Sequence, residues 1–463
     1  MRTRMPFRYG IATMTATPHL FLKIDLEIDG KVISGLSADN LPPKWFTKNP
    51  ESSTRDDVRE MLEVIEFACR HAGEVGEAAS VFELWRAIYS KQKAWAQTKY
   101  PPLLWGFGVS IVERAIIDAF CRARGITFGG AVRTNALGMN LESIHPQLAA
   151  STPADWLPAQ PATTVIARHT VGLSDPLTDA EIALDDRAGD GLPQSLESCI
   201  DAYGLTHFKI KLLGDVTKDL QRLRRLSENI TRQTRGSFSF TLDGNENFNA
   251  LAPFRALWEE LLADSSLREF MTRLIFVEQP LHRDVALSDA VRAEIQAWST
   301  RPPMIIDESD ATLDSLRIAL ECGYSGSSHK NCKGIFKGIA NACLISKLRR
   351  DGKSVILSCE DLSNVGPIAL LQDLAVVATL GIEHCERNGH HYFKGLSALP
   401  VELQQTVARE HPDLYVFEQG FSRVLIKGGI MSTASAAAAP FGRDFEMDAA
   451  LFTPVKKWNF DSL

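Results

Sequence analysis

The fold is decided by a series of short segments, most of them apolar, each of which ends in a charged residue. Between residues 207 and 330 the chain contains HFKIK (207–211), FSFTLD (238–243), LIFVE (274–278), MIID (304–307) and SGSSHK (325–330). Short, largely apolar segments such as the first four are typical of strands that are buried on both faces of a parallel sheet, and SGSSHK is the weaker strand of the series. Helical stretches such as DVTKDLQRLRRLSENI (215–230) separate them, so this region predicts alternating strands and helices.

The same alternation extends in both directions along the chain. TTVIARHTVG (163–172) precedes the series, and SVILSCED (354–361) and GIEHCER (381–387) follow it. The total is about eight strand–helix units, which is the number that closes a TIM-type (β/α)₈ barrel. We therefore predict an α/β fold in which residues 161–420 form the barrel.

The first 160 residues have a different pattern and predict an α+β capping domain with a connection to the barrel. HLFLKIDLEIDG (19–30) predicts a hairpin with an Asp-Gly turn. Helices follow it: Thr54 is placed to cap one of them with Asp57 three residues later, and another is predicted to stop at Gly125. Residues 421–463 are expected to pack back on the cap.

Composition narrows the class of protein. The 463 residues have a formal net charge of −7 and a 45% hydrophobic share, which is ordinary for a globular protein. The slight acidity argues against a nucleic-acid surface, and no apolar run is long enough to predict a membrane span. None of the eight cysteines forms a C-x-x-C pair, so we expect reduced, buried thiols in a cytoplasmic protein.

The charges at the strand ends predict a functional site. Catalytic groups of such barrels lie at the carboxyl ends of the strands, and the spacing of 23 to 35 residues matches one strand–helix unit of about 30. Three carboxylates on adjacent strands form an oxygen site suited to Mg²⁺. Taken singly, each is more often a helix cap, and a purely structural account would pair them with the lysines. The set comprises Lys209, Lys211, Asp243, Glu278, Asp307 and Lys330.

In this order and spacing, the text F-K-I-K-L, T-L-D-G-N, V-E-Q-P-L, I-D-E-S and S-H-K-N resembles the enolase superfamily, in particular its mandelate-racemase/muconate-lactonizing type. The resemblance covers nearly the whole chain. It implies that Asp243, Glu278 and Asp307 bind Mg²⁺. It also implies that Lys211 and Lys330 are acid/base groups on opposite faces of the substrate, and that Lys209 assists electrostatically.

Departures from the family pattern bear on the subtype. The seventh strand ends in Cys359-Glu360-Asp361 and the sixth offers Lys330, where the mandelate-racemase variant has a histidine on the seventh strand and an aspartate on the sixth. This favours the two-lysine, muconate-lactonizing subtype. Lys333 competes with Lys330 as the sixth-strand base, although the strand pattern places Lys333 three residues beyond the residue that ends the strand.

Further residues are candidates for supporting the metal or touching the substrate. The eighth strand and its loop are unusually polar, and the loop SADNLPPKWFTKNP (37–50) is placed like the family's substrate-covering loop. A hydrogen-bonded or solvated loop is the structural alternative in both places. The candidates are Asn245, Glu308, Asp361, His384, Glu386, Lys44 and Trp45.

The implied activity is abstraction of the proton next to a carboxylate, which gives an enediolate stabilised by the metal. Reprotonation leads to racemisation or epimerisation, and loss of a hydroxyl leads to dehydration, so the enzyme is an isomerase or a lyase. Cycloisomerisation, a Schiff-base aldolase on a similar barrel and a non-catalytic barrel stay open as alternatives. We expect a small carboxylate substrate, a homo-oligomer, and neither nucleic acid nor membrane as partner.

Overall fold

The computed structural model describes residues 1–96 and 98–463. An N-terminal region contains two antiparallel strand pairs and four helices, arranged in chain order. These elements are β1 (Arg2–Tyr9), β2 (Ala12–Ala16), β3 (His19–Ile28), β4 (Lys31–Asn40), α1 (Thr54–Val75), α2 (Val81–Ala96), α3 (Pro102–Arg124) and α4 (Phe128–Arg133).

The local signals of this region are largely where the sequence predicts them. β3 and β4 form the predicted hairpin, and Asp29 and Gly30 at its turn both have positive φ, as a tight two-residue hairpin turn requires. The cap of α1 differs by one residue: Ser53 accepts from the Asp56 amide and Asp56 reaches back, so Ser53 and not Thr54 is the N-cap. Asp57 is buried instead and accepts from the Lys44 amide.

Residues 164 to 387 form a parallel sheet with helices between its strands. The strands are β5 (Thr164–Val171), β6 (His207–Lys211), β7 (Ser239–Asp243), β8 (Leu274–Glu278), β9 (Met304–Ile306), β10 (Gly326–His329), β11 (Ile356–Cys359) and β12 (His384–Arg387). The helices are α5 (Leu196–Tyr203), α6 (Val216–Thr234), α7 (Leu251–Ala263), α8 (Arg268–Met271), α9 (Arg283–Ala286), α10 (Asp289–Ala297), α11 (Ser315–Cys322), α12 (Ile335–Arg350) and α13 (Ala369–Leu380).

The predicted parallel, eight-stranded α/β sheet is confirmed. Its strand order is β11-β10-β9-β8-β7-β6-β5-β12, and every neighbouring pair is parallel. The sheet curls so far that its two end strands, β11 and β12, contact each other. Because all eight strands run the same way, their carboxyl ends share one edge of this curled sheet.

The C-terminal part of the chain returns to both regions. It contains α14 (Gly389–Tyr392), α15 (Val401–Glu410), β13 (Tyr415–Glu418), β14 (Phe421–Val424), β15 (Ile430–Ser432) and α16 (Ala434–Ala438). β15 pairs antiparallel with β5. Beyond it, Arg443 Nη2 donates to Asp118 Oδ2 of α3 at 2.6 Å, and the Phe452 ring packs 4.4 Å from that of Phe21 in β3.

The hydrophobic core runs without a break from the N-terminal region into the sheet. Helix α3 packs so tightly on β4 that a Cβ added at Gly35 would lie 2.0 Å from the Ala115 carbonyl oxygen, so only glycine fits there. Within the described part of the chain, no helix is long and apolar enough to cross a membrane. The eight cysteines are free thiols, and seven of them are buried.

Candidate active site

The strand-end charges meet at one edge of the curled sheet. Lys211 and Asp243 are register partners on β6 and β7, and Asp243 and Glu278 are register partners on β7 and β8. Asp307 and Lys330 directly follow β9 and β10. Glu360 directly follows β11, and Glu386 lies within β12, so two more carboxylates reach the same place.

Lys209 lies at the centre of these carboxylates. Its Nζ is 2.9 Å from Asp243 Oδ2, 3.1 Å from Glu278 Oε2, 2.9 Å from Glu360 Oε2 and 2.8 Å from Glu386 Oε2. Burial alone would lower the pKa of Lys209, but the four carboxylates outweigh burial and raise it well above its usual value. The side chain is fully buried, so Lys209 holds together four carboxylates from different strand ends, and it does not line the cavity described below.

A cluster of three carboxylates lies beside Lys209. Ligand atoms of Glu278, Asp307 and Glu360 are all within 4.8 Å of one another, and all three residues are buried. Glu278 Oε1 has no hydrogen-bond partner among the described residues. Burial and the nearby Glu360 charge raise the pKa of Glu278 well above its usual value. Three buried carboxylates this close together, one of them with an oxygen that has no partner, form a suitable site for a hard divalent cation, which would neutralise their charges.

Asp243 adjoins this cluster but is engaged differently. Its Oδ2 lies 2.6 Å from Lys211 Nζ as well as 2.9 Å from Lys209 Nζ, and its Oδ1 accepts from the Asn245 amide at 2.8 Å. The structure therefore brings together two of the three predicted ligands, Glu278 and Asp307. The third carboxylate of this cluster is Glu360, whose ligand atom lies within 4.8 Å of theirs. Asp243 lies on the adjacent strand, tied to the lysines.

The balance of charge at this edge also points to a cation. Six buried carboxylates face four buried ammonium groups, which leaves two negative charges in excess at formal charge. Burial, and after it the charge of Asp307, raises the pKa of Glu308 to about 8. The carboxylates are Asp243, Glu278, Asp307, Glu308, Glu360 and Glu386, and the ammonium groups are Lys209, Lys211, Lys330 and Lys333.

Lys211 and Lys330 line the same cavity above the sheet edge. Lys330 Nζ lies 3.0 Å from Asp307 Oδ2 and 2.9 Å from Glu360 Oε2. Burial alone would lower the pKa of Lys330, but these two carboxylates raise it well above its usual value. Lys211 ends β6 and Lys330 directly follows β10, and these two strands are four places apart in the eight-strand order. The two amines therefore approach the cavity from opposite sides of the curled sheet.

Lys333, the competing sixth-strand lysine, points elsewhere. Its Nζ donates to the carbonyl oxygens of Asp307 and Ser328, at 2.8 and 2.7 Å, and lies 2.7 Å from Asp307 Oδ1. These contacts occupy its three protons, and Lys333 is not among the residues that line the cavity. The geometry thus separates the two candidates and places Lys330 at the cavity.

Four of the other predicted residues reach the site. Asn245 lines the cavity, and its Nδ2 lies 3.3 Å from Asp243 Oδ2. Trp45 lies over Lys330, with its ring centre 4.2 Å from Nζ. Asp361 lines the cavity while it accepts from Arg387, and Glu386 accepts from Thr170 as well as Lys209.

His384 and Lys44 are not brought to the cavity. His384 opens β12 and does not end it, so it lies toward the amino end of the strands, where its Nδ1 is 2.6 Å from Arg168 Nη1. Lys44 Nζ turns back to its own loop and donates to the Asn49 carbonyl at 2.9 Å. His384 is a candidate because it belongs to the polar eighth strand, and the strand direction takes it away from the cavity. Lys44 is a candidate because its loop is placed like the family's substrate-covering loop, and the loop conformation turns its amine away.

The structure adds Glu360 to the predicted carboxylates. Glu360 directly follows a strand, as Asp307 and Lys330 do, so the same strand-end signal is present in the sequence, although its strand is not adjacent to β7 or β8. The apolar cavity wall from the N-terminal region was also missed. Its members, Phe7, Tyr9 and Met14, lie in strands whose contact with the sheet edge leaves no local pattern.

Comparison with solved structures finds the same fold in enolase-superfamily proteins of the mandelate racemase/muconate lactonizing type. An enolase from Bradyrhizobium complexed with magnesium and mandelic acid is 15% identical with a TM-score of 0.56, over 95% of this chain and 92% of that chain. N-succinyl Arg/Lys racemase from Bacillus cereus is 14% identical with a TM-score of 0.55, over 94% of each chain. A mandelate racemase/muconate lactonizing family protein from Azoarcus is 14% identical with a TM-score of 0.54, over 98% of this chain and 96% of that chain.

Neither a protein-family model nor a curated protein sequence matches the chain. At the identities above, the likeness to solved structures shows a shared fold. The case for a function therefore depends on the residues at the sheet edge.

Proposed function

We propose that this protein is a Mg²⁺-dependent enzyme of the enolase superfamily that abstracts the proton next to a carboxylate. The observation that carries the proposal is the pair Lys211 and Lys330, which enter one cavity from opposite sides of the curled sheet beside a cluster of buried carboxylates. Two amines on opposite faces of a carbon are what proton removal and return require. In this proposal the sheet is the family's barrel and the N-terminal region is its cap.

We assign the metal to Asp243, Glu278 and Asp307, which follow one another on three adjacent strands. Asp243 and Glu278 are register partners, and Asp307 lies two residues beyond the register partner of Glu278, on the same face of the sheet. Glu360 is the competitor for the third position, because it lies within reach of Glu278 and Asp307. When bound, Mg²⁺ would withdraw charge from the substrate carboxylate and offset the carboxylates that now raise the pKa of Lys330.

The lysines then divide the chemistry between them. One amine removes the proton, and the ammonium on the opposite face returns a proton to the same carbon, which inverts the configuration. Racemisation or epimerisation is accordingly the first expectation, which makes the enzyme an isomerase. Dehydration is the alternative when the ammonium delivers its proton to a departing hydroxyl, and the two-lysine arrangement allows both.

The proposed activity is tested by hydrogen exchange. A panel of amino acids, dipeptides, sugar acids and 2-hydroxy acids is incubated with the protein and Mg²⁺ in D₂O, and α-deuterium is followed by NMR. We expect incorporation into at least one compound, lost with EDTA and in the double variant Lys211→Ala/Lys330→Ala. Lys218→Ala, an exposed lysine on the next helix, serves as the matched control and keeps full activity. Exchange that persists both in EDTA and in the double variant contradicts the proposal.

A further inference from the structure

The cavity above Lys211 and Lys330 has two unlike halves. The sheet edge supplies the charges, and the opposite wall is almost entirely apolar. Most of the apolar wall comes from the N-terminal region, whose strands β1 and β2 and the loop after β4 lie over the sheet edge. It consists of Phe7, Tyr9, Met14, Pro42 and Trp45, with Leu362 from the loop after β11.

The apolar wall offers a ligand almost no hydrogen bonds. The one hydroxyl in it, on Tyr9, already donates to the Pro43 carbonyl at 2.8 Å. The two loop lysines nearby are both engaged: Lys44 faces its own loop, and Lys48 Nζ donates to the Asn245 carbonyl at 2.5 Å. A polyhydroxylated chain placed against this wall would lose its hydrogen bonds to water without replacement.

The cavity also lacks a second place for an anion. Among the lining residues that the structure describes, the only cations are Lys211 and Lys330, which belong to the proposed chemistry. The remaining charged lining groups are carboxylates, and the nearby cations Lys209 and Arg387 are already paired with them, Lys209 with Glu360 and Glu386 and Arg387 with Asp361. A second carboxylate on the substrate would be desolvated next to Glu360, Asp361 and Glu386 with no partner.

Three lining residues offer neutral polar groups to a ligand. Asn245 Oδ1 and Asn388 Oδ1 are buried and have no partner among the described residues, and Ser363, in the loop after β11, adds a hydroxyl. Asn245 follows β7 and Asn388 follows β12, so both free acceptors lie at the charged sheet edge. They suit a donor on or next to the α-carbon, such as a hydroxyl or amino group, and not a chain of hydroxyls that extends to the apolar wall.

From these contacts we propose that the substrate is a monocarboxylate whose remaining substituent is compact and apolar, such as a branched alkyl or phenyl group. The carboxylate lies at the charged sheet edge, and the apolar substituent packs on Phe7, Met14 and Trp45. This inference rests on the proposed function for the orientation of the carboxylate. It excludes sugar acids and dicarboxylates as good ligands.

Binding to the wild-type protein tests the inference without relying on turnover. Calorimetric titrations of the Mg²⁺-loaded protein compare three 2-hydroxy acids that share a head group: 2-hydroxy-4-methylpentanoate, 2-hydroxyglutarate and gluconate. We expect the branched alkyl acid to bind at least tenfold more tightly than the other two. Equal or tighter binding of 2-hydroxyglutarate or gluconate overturns the inference. α-Deuterium exchange measured in parallel reports separately on the proposed function, so the failure of one is distinguishable from the failure of the other.

A variant pair tests the apolar wall directly. Met14 is 2% exposed and lines the cavity, so Met14→Lys introduces a cation there, and Met14→Leu is the volume-matched control. We expect Met14→Lys to shift the ratio of affinities toward 2-hydroxyglutarate by tenfold or more, and Met14→Leu to leave the ratio unchanged. A folded Met14→Lys protein that keeps the wild-type ratio contradicts the inference. If Met14→Lys does not fold, the wild-type titrations decide alone.

Discussion

The ammonium of Lys330 lies 4.2 Å from the centre of the Trp45 ring. Lys330 directly follows a strand of the curled sheet, and Trp45 belongs to the loop after β4 in the N-terminal region. An aromatic face attracts a cation, most strongly where water is excluded, and Trp45 is 7% exposed. The contact therefore makes the N-terminal region part of the proposed active site, because Trp45 packs on one of the two proposed acid/base amines.

Trp45→Ala is expected to lower kcat/KM of the exchange reaction about tenfold, since a desolvated cation–π contact contributes roughly 1–2 kcal/mol. Trp45→Phe keeps an aromatic face and should lose less than half of that free energy. The measurement is the initial rate of α-deuterium exchange for each variant. Equal rates for Trp45→Ala and the wild type would show that the contact has no catalytic role.

Mg²⁺ affinity is expected to separate the two possible ligand sets. Glu278→Gln removes a ligand common to both and should abolish binding in calorimetric titration. Asp243→Asn should weaken binding at least tenfold, and Glu360→Gln by less than threefold, because we assign the third position to Asp243. The opposite order for these two variants would identify Glu360 as the ligand. The readout is the metal alone and does not depend on turnover.

The pairing of Arg443 with Asp118 predicts that the C-terminal tail stabilises the N-terminal region. Both side chains are buried, and Arg443→Met would leave the Asp118 carboxylate without its cation. Breaking such a pair costs about 3 kcal/mol or more in free energy of unfolding. Urea denaturation measures it, with the exposed Arg409→Met as a control that should stay within about 0.5 kcal/mol of wild type. Equal stability of the two variants would contradict the prediction.

Acid sensitivity is expected from His19. Burial lowers its pKa to about 4, although its Nδ1 pairs with Asn40 Oδ1 at 2.7 Å. The unfolded chain takes up a proton near pH 6.5 and the folded chain only near pH 4, so stability falls as the pH drops between these values. At pH 5 the loss relative to pH 7.5 is about 1–2 kcal/mol.

The same denaturation experiment at both pH values checks this prediction. EDTA is present throughout so that metal binding does not contribute to the pH dependence. His19→Gln should reduce the difference in unfolding free energy between pH 7.5 and pH 5 by that amount. An unchanged difference would show that His19 is protonated in the folded state at pH 5.

The sequence predicts the sheet and the position of its charges because both follow from local patterns. A parallel strand buried on both faces is a short apolar run, and its carboxyl end is the next polar residue, as at Asp243 and Glu278. The direction of a strand is equally predictable, yet His384 was placed at the wrong end, because its neighbours Glu386 and Arg387 drew attention to the whole segment.

Contacts between distant parts of the chain were not predictable in the same way. Nothing near Phe7 or Met14 in the sequence indicates that they face Lys330, more than 300 residues away. The geometry that separates Lys330 from Lys333 depends on which carbonyl oxygens lie near each amine, and those come from Asp307 and Ser328. Such pairings become visible only in the folded chain.

The proposed chemistry requires that Lys211 and Lys330 act on opposite faces of one carbon. The direct test is α-deuterium exchange of each separate enantiomer of an exchanging substrate, with Lys211→Ala and Lys330→Ala as the variants. We predict that each variant loses exchange of one enantiomer by about a hundredfold or more and retains exchange of the other, with opposite preferences in the two variants. Loss of the same enantiomer in both variants, or undiminished exchange of both enantiomers in either variant, would contradict the account.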